Sequence, residues 1–337
     1  MGFRRHLIEA HWRLYARHLA ASKKPILIGP WRSEVGFEVL YWIPFLNAFK
    51  ERYSIDPNRL IALGRGGSAC WYGMAGQGDL YEHLPLETVR ALSVQSSQQT
   101  GSIKQHTEEH WEHHVCTLAA MSIGIQEFHV LSPRWMYQLI TPWWEGTASP
   151  SWLDQRLLHS ERIQAPKLHP EVAQQLPEQY IAMRWYTRPT WPMQEGLILW
   201  TRKLVEAIAS RIPVVLIQSG FHADDHADMN LGAIPNTINL KDIAKQKPTD
   251  NLAIQSAVIA KAQGYVGTYG GMSQLAMRLG IPTVALYAQF GQTAPAHLTL
   301  TQRLSLKSGV AFIACTPGQL DSLVPIILAP KKAMVTA

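Results

Sequence analysis

Three short stretches of this chain gather side chains that handle anions and protons. Met183-Arg184-Trp185-Tyr186-Thr187-Arg188-Pro189 carries two arginines in five residues. A guanidinium fork makes paired, charge-assisted hydrogen bonds with phosphate oxygens, so Arg184 and Arg188 suit a diphosphate. Thr268-Tyr269-Gly270-Gly271-Met272-Ser273-Gln274 follows an apolar run and opens a helical pattern. Its glycines let the backbone approach a ligand closely, and the N–H groups of a helix start favour a phosphate. Ser273 can cap that helix or donate to the anion. Arg32-Ser33-Glu34-Val35-Gly36-Phe37-Glu38 brings two acids one helical turn apart. A carboxylate there can take the proton of an attacking hydroxyl. The bland alternative is an acid favoured by the dipole of a helix N-terminus.

Each stretch leaves the end of a predicted strand. Pro25 to Pro30 is a short apolar run closed by Gly and Pro, and Gly36 to Lys50 has helical spacing with a kink expected at Pro44. Arg59 to Leu63 reads as a second strand, ending in Gly64-Arg65-Gly66-Gly67-Ser68. Arg65, with Trp71 and Tyr72 just beyond, could hold an acidic or phosphorylated acceptor and stack on sugar faces. No Lys-Ser or Lys-Thr follows, so this is no Walker loop. Residues 101–122 look helical, and 131–170, rich in Pro, Ser, Trp and Gln, look like an irregular crossover. The pattern then restarts: Tyr180 to Met183 and Pro213 to Ile217 as strands, Ile198 to Ser210 as a helix. Asn251 to Gln263 (helix), Gly264 to Thr268 (strand), Met272 to Leu279 (helix) and Pro282 to Tyr287 (strand) complete it. Strands apolar at nearly every position are those covered by helices on both faces. The chain therefore reads as two doubly wound α/β domains, 1–165 and 166–330, facing a cleft.

Composition narrows the class. The 337 residues are 47% hydrophobic and 17% charged, which suits two packed domains and excludes disorder. No apolar run reaches the ~20 residues needed to cross a bilayer. Residues 1–21 lack an apolar signal core, so a cytoplasmic protein is expected. Three separated cysteines, Cys70, Cys116 and Cys315, make no disulfide framework. A net charge of +6 favours anionic partners, though no basic run or zinc-finger pattern supports nucleic acid. Residues 1–22 read as an amphipathic helix, with Ile8, Trp12, Tyr15 and Leu19 on one side and Arg4, Arg5, Arg13 and Arg17 around it. Such a helix packs on its own domain or touches acidic lipid at the inner membrane. His106, His110, His113 and His114 share one segment without forming HExxH, and His222, Asp224, Asp225, His226 and Asp228 form a second polar cluster. The first is read as a solvated helix and the second as a loop without the DxD of metal-dependent transferases, and no metal or other cofactor is expected.

The order from Asn251 to Gln289, with Thr268-x-Gly270-Gly271, a small-residue helix and Gly280-Ile281-Pro282-Thr283-Val284-Ala285-Leu286-Tyr287, resembles the donor-binding domain of GT-B glycosyltransferases. It is most similar to the heptosyltransferase-type enzymes of lipopolysaccharide assembly. The resemblance spans roughly 180–290 and includes Val214 to Gly220 with the loop that follows, and Asn239-Leu240. The family's histidine after the glycine turn is replaced here by Gln274 or its neighbours. The resemblance implies a nucleotide-sugar donor held by Arg184, Arg188, Gln218, Thr268, Tyr269, Gly270, Gly271, Ser273 and Gln274. It also implies a catalytic acid six residues before a proline: Glu38 precedes Pro44 by that spacing, and Glu34 competes. The implied reaction is inverting, metal-independent transfer to a glycan or other hydroxyl acceptor in cell-surface polysaccharide synthesis. A non-catalytic nucleotide- or glycan-binding protein on the same scaffold is one alternative, and a different enzyme on a similar scaffold, such as a sugar epimerase or a pyruvyl transferase, is another.

Overall fold

The computed structural model describes residues 2–100, 104–157, 162–220, 227–292 and 294–322. The chain divides into two compact units: Met1–His159 with Pro248–Leu252, and Ser160–Lys247 with Ala253–Ala337. A single cut near 165 therefore misses one feature. Residues 248–252 return to the first unit, where the Leu252 N–H donates to the Gly66 carbonyl over 2.8 Å.

The first unit is built on four parallel strands: β1 (Ile26–Ile28), β2 (Leu60–Gly64), β3 (Gly76–Asp79) and β4 (His129–Leu131), in the order β3-β2-β1-β4. Ile26, Leu27 and Ile28 are all buried, as a strand covered on both faces requires. The helices Gly2–Ala21, Ile43–Tyr53 and Arg134–Trp144 meet around Trp12, whose ring lies 5.1 Å from Phe45, 5.7 Å from Phe49 and 5.5 Å from Trp135. Leu27, Leu63, Val115 and Ala120 belong to another core of this unit, built with the helix His110–Ser122.

The second unit carries six parallel strands: β5 (Ile181–Arg184), β6 (Val214–Leu216), β7 (Thr237–Asn239), β8 (Gly264–Thr268), β9 (Thr283–Leu286) and β10 (Phe312–Cys315). Their order is β10-β9-β8-β5-β6-β7. Counted within the unit, that is the dinucleotide-fold order 3-2-1-4-5-6, and the first unit reproduces its 3-2-1-4 part. Each sheet reverses direction of growth at one point, between β1 and β4 in one unit and between β5 and β8 in the other.

Three expectations need correction. Residues 134–144 and 150–157 are helices, so the stretch 131–170 is no irregular crossover. Its Pro142 lies inside a helix whose buried face, including Trp135, Leu139, Ile140 and Trp143, outweighs the lost N–H. The helix expected over 101–122 begins at His110. Glu109 and Glu112 form the capping box there, while Gln105 just upstream bonds to the Pro30 carbonyl instead of joining a helical ladder. Lastly, the irregularity expected at Pro44 falls before it: Glu38–Trp42 is a π-helical turn, in which the Ile43 N–H reaches the Glu38 carbonyl five residues back. Pro44 then serves the first turn of the helix Ile43–Tyr53, where no N–H is needed.

Candidate functional site

In open α/β sheets ligands bind beyond the carboxyl ends of the strands at the reversal point. In the first unit the chain leaving β1 there is Gly29–Glu38. Its two acids have opposite surroundings. Glu34 stands at the N-cap of the short helix Val35–Phe37 without capping it; its carboxylate pairs with Lys104 and its side chain is 37% exposed. The Lys104 ammonium also lies 3.9 Å over the Phe37 ring. Glu38 is fully buried. Its Oε1 accepts two hydroxyl hydrogens, from Ser68 at 2.6 Å and Tyr72 at 2.8 Å, whereas Oε2 has no hydrogen-bond partner among the described residues. Burial pushes the carboxyl up to about 7, against the pull of Arg65 and the two hydroxyls. A carboxyl poised near neutrality in a π-helical turn is a common signature of a working acid–base group.

The loop after β2 supplies those hydroxyls. Ser68 also accepts from the Arg65 N–H at 3.2 Å, and Arg65 is itself buried. Gly66 and Gly67 take the left-handed backbone (φ +62° and +78°), and a Cβ on Gly66 would stand 2.3 Å from the Asn251 Oδ1. Asp79, at the end of β3, accepts from the Gly67 N–H at 2.7 Å and fixes this turn. Burial raises Asp79 to about 7 despite its two backbone donors, Gly67 and Tyr81. Trp71 and Tyr72 are 2% and 3% exposed, so they do not form the sugar-stacking surface expected of them. Both pack inside the unit, and the Tyr72 hydroxyl is committed to Glu38.

In the second unit the reversal point lies between β5 and β8, and the two loops named from sequence meet there. The Tyr186 N–H donates to Thr268 Oγ1 and the Thr268 hydroxyl returns to the Tyr186 carbonyl, each at 3.2 Å. Arg188 Nη1 donates to the Tyr269 carbonyl at 3.1 Å. Gly270 makes that approach possible: a Cβ would lie 2.1 Å from Arg188 Nη1 and 2.4 Å from the Tyr186 hydroxyl. Ser273 caps the helix Gly271–Arg278, accepting from the Gly270 N–H at 3.1 Å and donating to its carbonyl at 2.8 Å. Thr268, Ser273 and Gln274 are buried. Arg184, the last residue of β5, donates to Asp228 Oδ1 at 3.0 Å and to Gln255 Oε1 at 3.1 Å, which holds its guanidinium in place.

Gln218 follows β6 at the same edge. Its side chain donates to the Met229 carbonyl at 3.1 Å and accepts from Asn239 at 2.7 Å. It lines a polar cavity of about 280 Å³ with Asp228, Asn230, Asn239 and Lys241. Of the polar cluster named from the sequence, His222, Asp224, Asp225 and His226 lie outside the described residues. Among the described residues no three His, Cys, Asp or Glu side chains gather as a metal would require.

Several partners escaped the sequence reading. Asp79 carried a signal, since Glu82 three residues on makes a capping box. Gln255, a fully buried polar residue in an otherwise apolar helical run, carried a weaker one. Nothing in the sequence joined Ser68 to Glu38, thirty residues apart.

No family profile and no curated protein matches the sequence. Among solved structures, the chain is similar to the E. coli heptosyltransferase WaaC with ADP (13% identity, TM-score 0.44, covering 90% of this chain and 99% of that one). It is also similar to a glycosyl transferase family 9 protein from Veillonella parvula (10%, 0.46, 90% and 89%) and to S. aureus MnaA with UDP (10%, 0.39, 92% and 90%).

Proposed function

We propose that the chain is a glycosyltransferase of the GT-B type, moving a sugar from a nucleotide-sugar donor to a hydroxyl acceptor. The observation that carries this reading is the coincidence of chemistry with topology. In the second unit Arg188 and the turn Tyr269–Ser273 leave the two strands that flank the reversal point, and in the first unit Glu38 lies on the chain that leaves β1, one strand of that unit's reversal. The second unit holds the donor, with the diphosphate taken by Arg188, Arg184 and the turn Tyr269–Ser273. The first unit supplies the base and the acceptor side, with Arg65 at the acceptor.

The acceptor hydroxyl gives its proton to the Glu38 carboxylate, whose enclosure must open to admit it, as its oxygen bonds to the anomeric carbon. The bond from that carbon to the diphosphate oxygen breaks, its electron pair leaves with the nucleotide, and the anomeric centre inverts. Guanidinium groups and helix N–H dipoles stabilise the departing charge. No metal is needed in this scheme. The acceptor is a glycan or lipid-linked glycan of a bacterial cell surface, and the helix Gly2–Ala21 contacts acidic lipid through Arg13 and Arg17.

Supporting the choice of Glu38 over Glu34 are its carboxyl near neutrality and its place in the π-helical turn. Its complete burial favours the second reading, a nucleotide- or glycan-binding protein without turnover. One experiment separates them. A thermal-shift screen against UDP, GDP, ADP, CMP and their sugars finds the donor, and product analysis with glycan acceptors follows. Stabilisation together with transfer that Glu38→Gln abolishes supports the enzyme. Stabilisation with no transfer or donor hydrolysis supports the binding protein; no stabilisation by any nucleotide sinks the enzyme and the nucleotide-binding reading, and no stabilisation by glycans either sinks both.

A further inference from the structure

The two oxygens of Glu38 are treated differently by the fold. Oε1 accepts the Ser68 and Tyr72 hydroxyls, and Oε2 is enclosed with no hydrogen-bond partner among the described residues. Both donors come from one loop, Ser68–Tyr72, which Asp79 holds through the Gly67 N–H. A buried acceptor left bare costs free energy, so a retained one calls for an explanation.

We infer that Ser68 and Tyr72 are positioning residues for Glu38: by saturating Oε1 they make Oε2 the oxygen that takes and returns the proton, and they keep the carboxyl ionisable inside the unit. This rests on the proposed transferase reading for its chemical use, but not for its geometry. Without the hydroxyls, a carboxylate in this enclosure would have Arg65 as its one stabilising neighbour, since burial and Asp79 act against ionisation. The other titratable groups around it are Tyr72, Cys70 and Tyr137, whose own ionisation the Glu38 charge opposes. None of these supplies positive charge. Burial sets the upward displacement of Glu38, and Arg65 with the two hydroxyls is what holds it in check.

The roles of the two donors are separable. Tyr72→Phe removes one oxygen and keeps the ring in its buried place. Ser68→Ala also deletes the acceptor that the Arg65 N–H uses, so it loosens the loop as well. Ser68→Thr restores the hydroxyl and is the rescue variant.

The test uses the full chain and reads the Glu38 carboxyl directly, by infrared difference spectra against Glu38→Gln across pH 5 to 9. In parallel, pH–rate profiles are taken with whichever nucleotide sugar stabilises the protein. Removing one donor to a carboxylate raises its titration midpoint by about one pH unit. Tyr72→Phe and Ser68→Ala are each expected to show that rise, with Ser68→Thr near wild type. The acid limb of kcat is expected to move by the same amount, with KM for the donor within about twofold. An unmoved infrared midpoint in both variants overturns the inference. A moved midpoint with no turnover, or with an unmoved acid limb, upholds the positioning role and removes Glu38 from the proposed chemistry.

Discussion

Arg32 Nε donates to Glu112 Oε1 over 2.7 Å, and both side chains are 2% exposed. Gln105 joins the same oxygen at 2.8 Å, and also reaches the Pro30 carbonyl and the Arg32 N–H. Glu112 is thus the point through which the helix His110–Ser122 holds the chain between β1 and Glu34. Removing one member of a buried pair leaves a bare charge and costs about 3–5 kcal/mol. Glu112→Ala is expected to lose that much in urea unfolding. Replacing Arg32 and Glu112 together by apolar residues should lose clearly less than the sum of the single changes. Additive losses would show that the pair is not coupled.

Glu38 and Asp79 both sit near 7, raised by burial from the ordinary carboxylate range. A raised folded-state value means that the native protein holds protons the unfolded chain has released. The stability this gives is complete below about pH 4 and is lost as pH climbs through 7. Displacements of about 2.5 units for Glu38 and about 3 for Asp79 correspond to roughly 3 and 4 kcal/mol. The wild type should therefore weaken between pH 5 and 8, and Glu38→Gln should weaken less steeply. Unfolding curves at four pH values decide it, and parallel declines would contradict the assignment.

Gly270→Ala tests the contact between the two loops at the β5–β8 reversal. The new methyl would have to displace Arg188 Nη1 and the Tyr186 hydroxyl. Overpacking of this kind costs about 1–3 kcal/mol. We expect a lower Tm together with weaker nucleotide binding, because Arg188 swings away from the Tyr269 carbonyl. A variant that loses stability while keeping full affinity would detach Arg188 from the ligand.

Calorimetry with nucleoside diphosphates measures the arginines themselves. Arg188→Ala and Arg184→Ala should each weaken binding by at least about tenfold, or 1.4 kcal/mol. Asp228→Asn should have a smaller effect, since it alters the orientation of Arg184 and not its charge. If both arginine variants bind as tightly as wild type, no diphosphate lies there.

The helix Gly2–Ala21 exposes Leu7 and Leu14 at 54% and 66%, one heptad apart, and Arg17 is exposed as well. Among the described residues no helix is long and apolar enough to cross a membrane. Flotation with vesicles containing anionic lipid should carry the protein up at low salt, and Arg13→Glu with Arg17→Glu should reduce this severalfold. Equal flotation on neutral vesicles would leave no role for the arginines.

The parallel strands of the second unit were legible because Val214–Leu216, Gly264–Thr268 and Thr283–Leu286 are buried throughout, and runs of that composition have few other fates. The strand-end loops followed from them, as did the meeting of Arg188 with Tyr269–Ser273. Other features depend on contacts remote in sequence. Gly270 reads locally as an invitation to a phosphate, yet Arg188, more than eighty residues away in sequence, occupies the space a Cβ would fill. Trp71 and Tyr72 look like an exposed aromatic pair until Glu38 is seen to claim the phenol. The helix Arg134–Trp144 was hidden by its own proline.

The return of residues 248–252 to the first unit makes the polypeptide path pass between units three times, after 159, 247 and 252. Neither half can be excised by one cut. A fragment ending near 160 lacks the Leu252 donor to Gly66, and hence a brace on the very turn that carries Ser68. A fragment beginning there keeps an orphaned pentapeptide. Dissection by expression of halves would therefore test broken pieces, and a circular permutation that preserves all three passages is the sounder route to separating their stabilities.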